Sequence, residues 1–135
     1  MTLDQVDRII AGVVLLTTVT IEFGGVIMLR VQAGRTPTNA LQQTFFRAGH
    51  AHAGVLVILG LVVLILTSTP GVPGWADALS SGVLWAAILM PAEFFLSVLG
   101  RDPARPNRLV ALIWVGAGLL AAGVLAAGIG LLLAG

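Results

Sequence analysis

An all-α integral membrane protein, a bundle of four transmembrane helices forming one domain over residues 1–135, is predicted by three observations. The chain of 135 residues is 58% hydrophobic and only 10% charged. Its mean hydropathy is +1.04, and no polar stretch is long enough to fold outside a membrane. Apolar windows fall near residues 9–29, 48–67, 79–99 and 109–134. Each is close to the roughly 20 residues that a helix needs to cross a ~30 Å hydrocarbon core.

The same composition removes several chemistries. With no cysteine, disulfides, thiolate metal sites and thiol redox are excluded. All seven basic residues are arginine, so no phosphate-binding loop with its lysine is present. A net charge of +1 gives no footprint for nucleic acid.

Taken in order, the first window has Asp4 and Asp7 ahead of Arg8 and no small-residue cleavage site before the Arg30 loop. It therefore reads as a retained helix rather than a signal peptide. The second helix is expected to begin before its apolar window, near Asn39 or Ala40, because Asn39 is a good N-cap. Residues 67–74 (Thr-Ser-Thr-Pro-Gly-Val-Pro-Gly) make a short, turn-rich crossing. The third helix carries Pro91, which has no N–H for the carbonyl of Ala87. Asn107 can cap the fourth. That last helix offers little but Gly, Ala, Val, Leu and Ile from Gly116 to Gly130, a surface suited to close helix packing within the bundle or against a homo-oligomer or larger membrane complex.

Orientation follows from arginine. Arg30, Arg35 and Arg47 flank the first loop and Arg101, Arg105 and Arg108 lie in the third, while only Arg8 stands at the opposite end. The bias predicts loops 1 and 3 in the cytoplasm and both termini outside. Trp75 on the outer side, and Phe45, Phe46 and Trp114 on the inner, fit interfacial belts. The absence of lysine beside the Ala, Gly, Val and Leu load points to a GC-rich bacterial genome, and so to the bacterial cytoplasmic (inner) membrane.

Two tandem hairpins share a pattern. Glu22-Phe23 is followed by Arg30, and Glu93-Phe94 at the same interval by Arg101. Loop 1 then reads Gly34-Arg35-Thr36-Pro37 and loop 3 Gly100-Arg101-Asp102-Pro103. Such a repeat suggests a pseudo-twofold axis along the membrane normal, with both glutamates at one depth.

Four ionisable groups fall inside the apolar windows: Glu22, His50, His52 and Glu93. A charge at mid-bilayer costs roughly 2.5–3.5 kcal/mol, so each is a functional candidate. Residues three and four apart share a helix face. That rule gives inward stripes of Leu15, Thr18, Glu22 and Gly25 on helix 1, Gln43, Arg47, His50 and Gly54 on helix 2, and Ala86, Met90, Glu93 and Ser97 on helix 3. His50 and His52 are about 200° apart on a regular helix. Either His52 faces a partner or a second cofactor, or the helix is irregular near Gly49. The small residues Ala48, Gly49, Ala51, Ala53 and Gly54 leave room beside the pair for something bulky.

Imidazole with carboxylate suits a transition metal ion. Ligands would be His50, Glu22 and Glu93, with His52 fourth; a haem would use His50 and His52, with Arg47 at a propionate. Other readings of these residues are a proton-coupled small transporter using the glutamates, an accessory subunit of a larger membrane complex, and a membrane enzyme using Glu/His acid–base chemistry on a lipophilic substrate. The bland alternative pairs the glutamates with Arg47 merely to fix helix register.

Overall fold

The computed structural model describes residues 3–135, which are all-helical, with no strand among them. Helix α1 (Gln5–Gln32) starts at Asp4, whose carboxylate accepts the Asp7 N–H at 2.8 Å. Helix α2 (Ala40–Thr67) starts at Asn39 with a reciprocal cap. The Asn39 side chain accepts the Gln42 N–H at 2.9 Å, and the Gln42 side chain accepts the Asn39 N–H at 3.1 Å. The third span is made of α3 (Gly74–Ser80) and α4 (Gly82–Leu96), interrupted only at Ser81. It begins at Gly74 rather than near residue 79, because Pro73, which cannot continue a preceding helix, supplies its N-cap. A 3-10 turn (Arg108–Leu112), capped by Asn107, leads into α5 (Ile113–Leu133). Four helices, Gln5–Gln32, Ala40–Thr67, Gly74–Leu96 and Arg108–Leu133, are long and apolar enough to cross a membrane.

The bundle is lopsided. Helix α4 lies between α2 and α5, α3 leans on α5, and α1 packs along α2 at the edge. The core follows suit: Leu56, Val57, Ala86, Ala87 and Met90 form one buried cluster and Val63, Val83 and Ala127 another. Helix α1 adds partly buried Val14 and Ile21 to the first and leaves Val13, Leu16, Val19 and Phe23 outward.

Glycines explain why α5 packs so closely. A Cβ at Gly123 would stand 2.9 Å from the Val83 nitrogen, and one at Gly82 would stand 2.8 Å from the Leu119 oxygen. Gly116 receives Met90 and Gly130 receives Ala76. The packing role expected of the last helix holds for these positions, whereas Gly118 and Gly128 face open space.

Loops 1 and 3 meet at one end. The Asn39 amide donates to Asp102 Oδ1 (2.8 Å) and to the Pro103 carbonyl (2.9 Å), while the Gln42 amide donates to the carbonyls of Val98 (3.2 Å) and Gly100 (3.0 Å). Six arginines belong to this end of the chain's spans, and Asp4, Asp7 and Asp77 to the opposite one.

Candidate functional site

The four ionisable groups do not converge. Among the described residues, no three of the His, Asp and Glu side chains come close enough to hold a metal ion together. The expected single centre of Glu22, His50 and Glu93 is not assembled among the described residues.

Glu22 is exposed, on the outward flank of α1. Of the stripe expected to face inward, Leu15 and Glu22 are both exposed. The face that packs carries Ile10, Val14, Ile21, Gly24, Gly25 and Met28, all at least partly covered. The physical reason is that α1 has its neighbour on one side only, so a helix face that looks central by spacing can still look outward.

Glu93 is the opposite case. Its stripe of Ala86, Met90, Glu93 and Ser97 is wholly buried, as the spacing indicates. Met90 on that face meets Gly116 of α5. The Glu93 side chain is 3% exposed, and neither carboxylate oxygen has a hydrogen-bond partner. Arg47 does not supply one: its Nε turns back to the Gln43 carbonyl at 3.3 Å, and the residue is exposed. The register-fixing ion pair between Glu93 and Arg47 is thus not formed.

The histidines diverge because α2 runs unbroken from Ala40 to Thr67 through both of them. An irregular helix at Gly49 is not what happens. His50 lies on the α1 side: a Cβ at Gly24 would stand 3.3 Å from its Nδ1, and one at Gly25 3.5 Å from its Nε2. His52 lies on the α4 side, its ring 5.0 Å from that of Phe94 at a 36° tilt. Its Nδ1 is 2.8 Å from the Ala48 carbonyl, an acceptor, which assigns the proton to Nδ1. The room expected beside the pair is partly filled. At Gly49 a Cβ would stand 3.0 Å from the Phe94 Cβ and 3.0 Å from the Phe95 ring. Phe45 and Phe46 are correspondingly drawn into the α2–α4 contact, 5.8 Å from Phe94 and 5.6 Å from Phe95, rather than standing free as a belt.

What the sequence did not reveal is a cleft. Because α1 and α4 both lean on α2 and leave the seam between them open, two cavities form along it. The deeper, about 280 Å³, is lined by Thr17, Thr20 and Gly24 of α1, His50 and Ala53 of α2, and Ala87, Pro91 and Phe95 of α4. The other, about 490 Å³, opens at the aspartate-bearing end between Asp4, Asp7, Asp77, Ser80 and Ser81, above Gly60 and Leu84. Val14 of α1 stands between the two levels, packed on the cluster that contains Val57 and Ala87. Three threonines within four residues on helix 1 (Thr17, Thr18, Thr20) were the available signal for the deeper chamber. Nothing in the sequence alone pairs Asp77 with Asp4 and Asp7.

Four spans and a buried carboxylate define a multi-pass membrane protein of the helical-bundle class. No protein-family model, curated protein or solved structure matches the chain.

Proposed function

We propose that this chain is a small proton-coupled membrane transporter in which Glu93 is the proton-carrying group. The observation that supports it is the Glu93 carboxyl, 3% exposed with both oxygens unpartnered. An ionised carboxylate buried without a partner is among the costliest arrangements in a protein. Charge can appear there only as a proton leaves or a cation arrives, which ties the residue to an exchange. Pro91, two residues earlier, breaks the hydrogen-bond ladder of the same helix and gives α4 a point at which it can bend. In this reading the arginine-rich loops face the cytoplasm of a bacterial cell and the termini lie outside.

The test is uptake into proteoliposomes driven by an imposed pH gradient. Wild type should move solute with protons, and Glu93→Gln, a neutral near-isostere, should stop it. A purified protein showing a Soret band or stoichiometric metal that is lost in His50→Ala would overturn this reading in favour of a metal or haem site.

A second reading has its own support. Glu22 stands exposed near the middle of α1, where lipid would be a poor neighbour for a carboxylate. That favours membership of a homo-oligomer or larger membrane complex that covers this flank. Mild-detergent purification should then recover the chain in an assembly larger than one copy, and Glu22→Leu should change that size.

A further inference from the structure

We propose that the cleft between α1 and α4 is a binding path for a lipophilic monovalent cation, entered from the aspartate-bearing end; this rests on the proton-coupled reading for its purpose but not for its binding. The first ground is charge. Asp4, Asp7 and Asp77 line the mouth, and no arginine is among the residues lining either chamber. The nearest basic group in sequence, Arg8, has its Nε on the Asp4 backbone carbonyl at 3.2 Å, outside the lining.

Hydrogen-bonding capacity is the second ground. The hydroxyls that line the cleft donate to their own helices: Thr17 to the Val14 carbonyl (2.6 Å), Thr20 to the Thr17 carbonyl (2.6 Å), Ser80 to the Asp77 carbonyl (2.6 Å) and Ser81 to the Ala78 carbonyl (2.7 Å). Their oxygens therefore present lone pairs rather than protons to the space. The carboxylates behave alike. Ser68 shares its one hydroxyl proton between Asp7 Oδ2 and the Leu64 carbonyl, each at 2.7 Å, and Thr67 donates to Asp77 Oδ1 at 2.9 Å, which leaves the second oxygen of each carboxylate as an acceptor. Pro91 offers no N–H to the carbonyl of Ala87, which lines the deeper chamber. His50 is the one lining side chain there that can donate from a ring N–H. A surface of acceptors and negative charge, set between apolar walls, suits an electropositive ligand with an apolar body.

Size and route supply the third. Chambers of about 490 Å³ and 280 Å³ follow one another along a single seam, floored by α2 from Leu64 and Gly60 to Val57, Ala53 and His50. Val14 stands at the step between them. A cation would be gathered at the mouth, pass Val14 and come to rest against Thr17, Thr20 and His50; Glu93 is not among the residues that line either chamber.

The experiment uses the purified full chain in nanodiscs and compares tetraphenylphosphonium with tetraphenylborate, ions of like shape and opposite charge, by equilibrium dialysis. The phosphonium should bind at least tenfold tighter than the borate. Asp7→Asn with Asp77→Asn should erase most of that ratio, and Thr20→Trp, placed at an exposed position that faces the chamber, should remove phosphonium binding while the helical circular dichroism is kept. Gly118→Ala, on a face of α5 that meets nothing and lines neither chamber, should leave binding within twofold. Equal binding of the two ions, or wild-type phosphonium binding in both Thr20→Trp and the double asparagine variant, would overturn the proposal. Binding that persists in a protein without proton-coupled uptake would sink the transport reading and leave the cation path standing.

Discussion

The two Glu-Phe pairs of this chain are nearly identical in sequence and opposite in structure. Glu22-Phe23 lies on the outward side of α1, with Phe23 66% exposed, whereas Glu93 is sealed and Phe94 packs between Phe45 and His52. Spacing within each helix is the same; what differs is the number of neighbours. Helix α4 has α2 on one side and α5 on another, while α1 has α2. A local motif therefore sets which residues share a face, and the packing partners decide what that face meets.

The largest expected difference between the pairs is functional. Glu93→Gln should lower proton-coupled uptake by roughly 100-fold or more, the scale of a lost proton-transfer group. Glu22→Gln should leave uptake within about twofold, since removing a group outside the transfer step carries no such penalty. Equal losses would break the contrast and make the hairpins functional equivalents. Stability should follow the same divide. Gly123→Ala and Gly82→Ala, which press a methyl onto backbone atoms of the neighbouring span, should each cost about 1–3 kcal/mol in detergent unfolding. Gly118→Ala and Gly12→Ala, which meet nothing, should be neutral or slightly stabilising. A cap ranks next. Asn39→Ala removes the N-cap of α2 together with two bonds to loop 3 and should cost about 1–2 kcal/mol. The smallest of the destabilising changes is His52→Phe, which keeps the ring on Phe94 and loses one bond to the Ala48 carbonyl. Its cost should be about 1 kcal/mol or less, read as a shift in Tm.

Much of the fold was legible because bilayer thickness and capping chemistry act locally. Four apolar windows became four spans, and Asn39 and Asn107 cap where an asparagine ahead of a helical run should. The buried stripe of Ala86, Met90, Glu93 and Ser97 was also readable, since α4 is enclosed. The stripe through Glu22 was misread for a reason peculiar to membranes. In water an apolar face points to the core, but in a span nearly every face is apolar, so periodicity gives no direction. On α1 only Thr17, Thr18, Thr20 and Glu22 break the apolar run between Gly12 and Met28, and they do not share one face. The open seam was illegible because a gap depends on how far two helices stand apart, which no single helix encodes. His50 and His52 were half legible: their divergence follows from helix geometry, and only the continuity of α2 chooses between the alternatives.

The clamp between loops 1 and 3 has a consequence for how the chain is made. Asn39 and Gln42 emerge from a ribosome some 60 residues before Val98, Gly100, Asp102 and Pro103, the groups their amides bind. Until then the first hairpin has the reciprocal cap of Asn39 and Gln42, which is local to α2, but neither side-chain NH2 has its loop-3 acceptor. Arrival of loop 3 supplies those acceptors. The clamp can therefore close only after loop 3 has been made, and a chain halted after α2 would lack it.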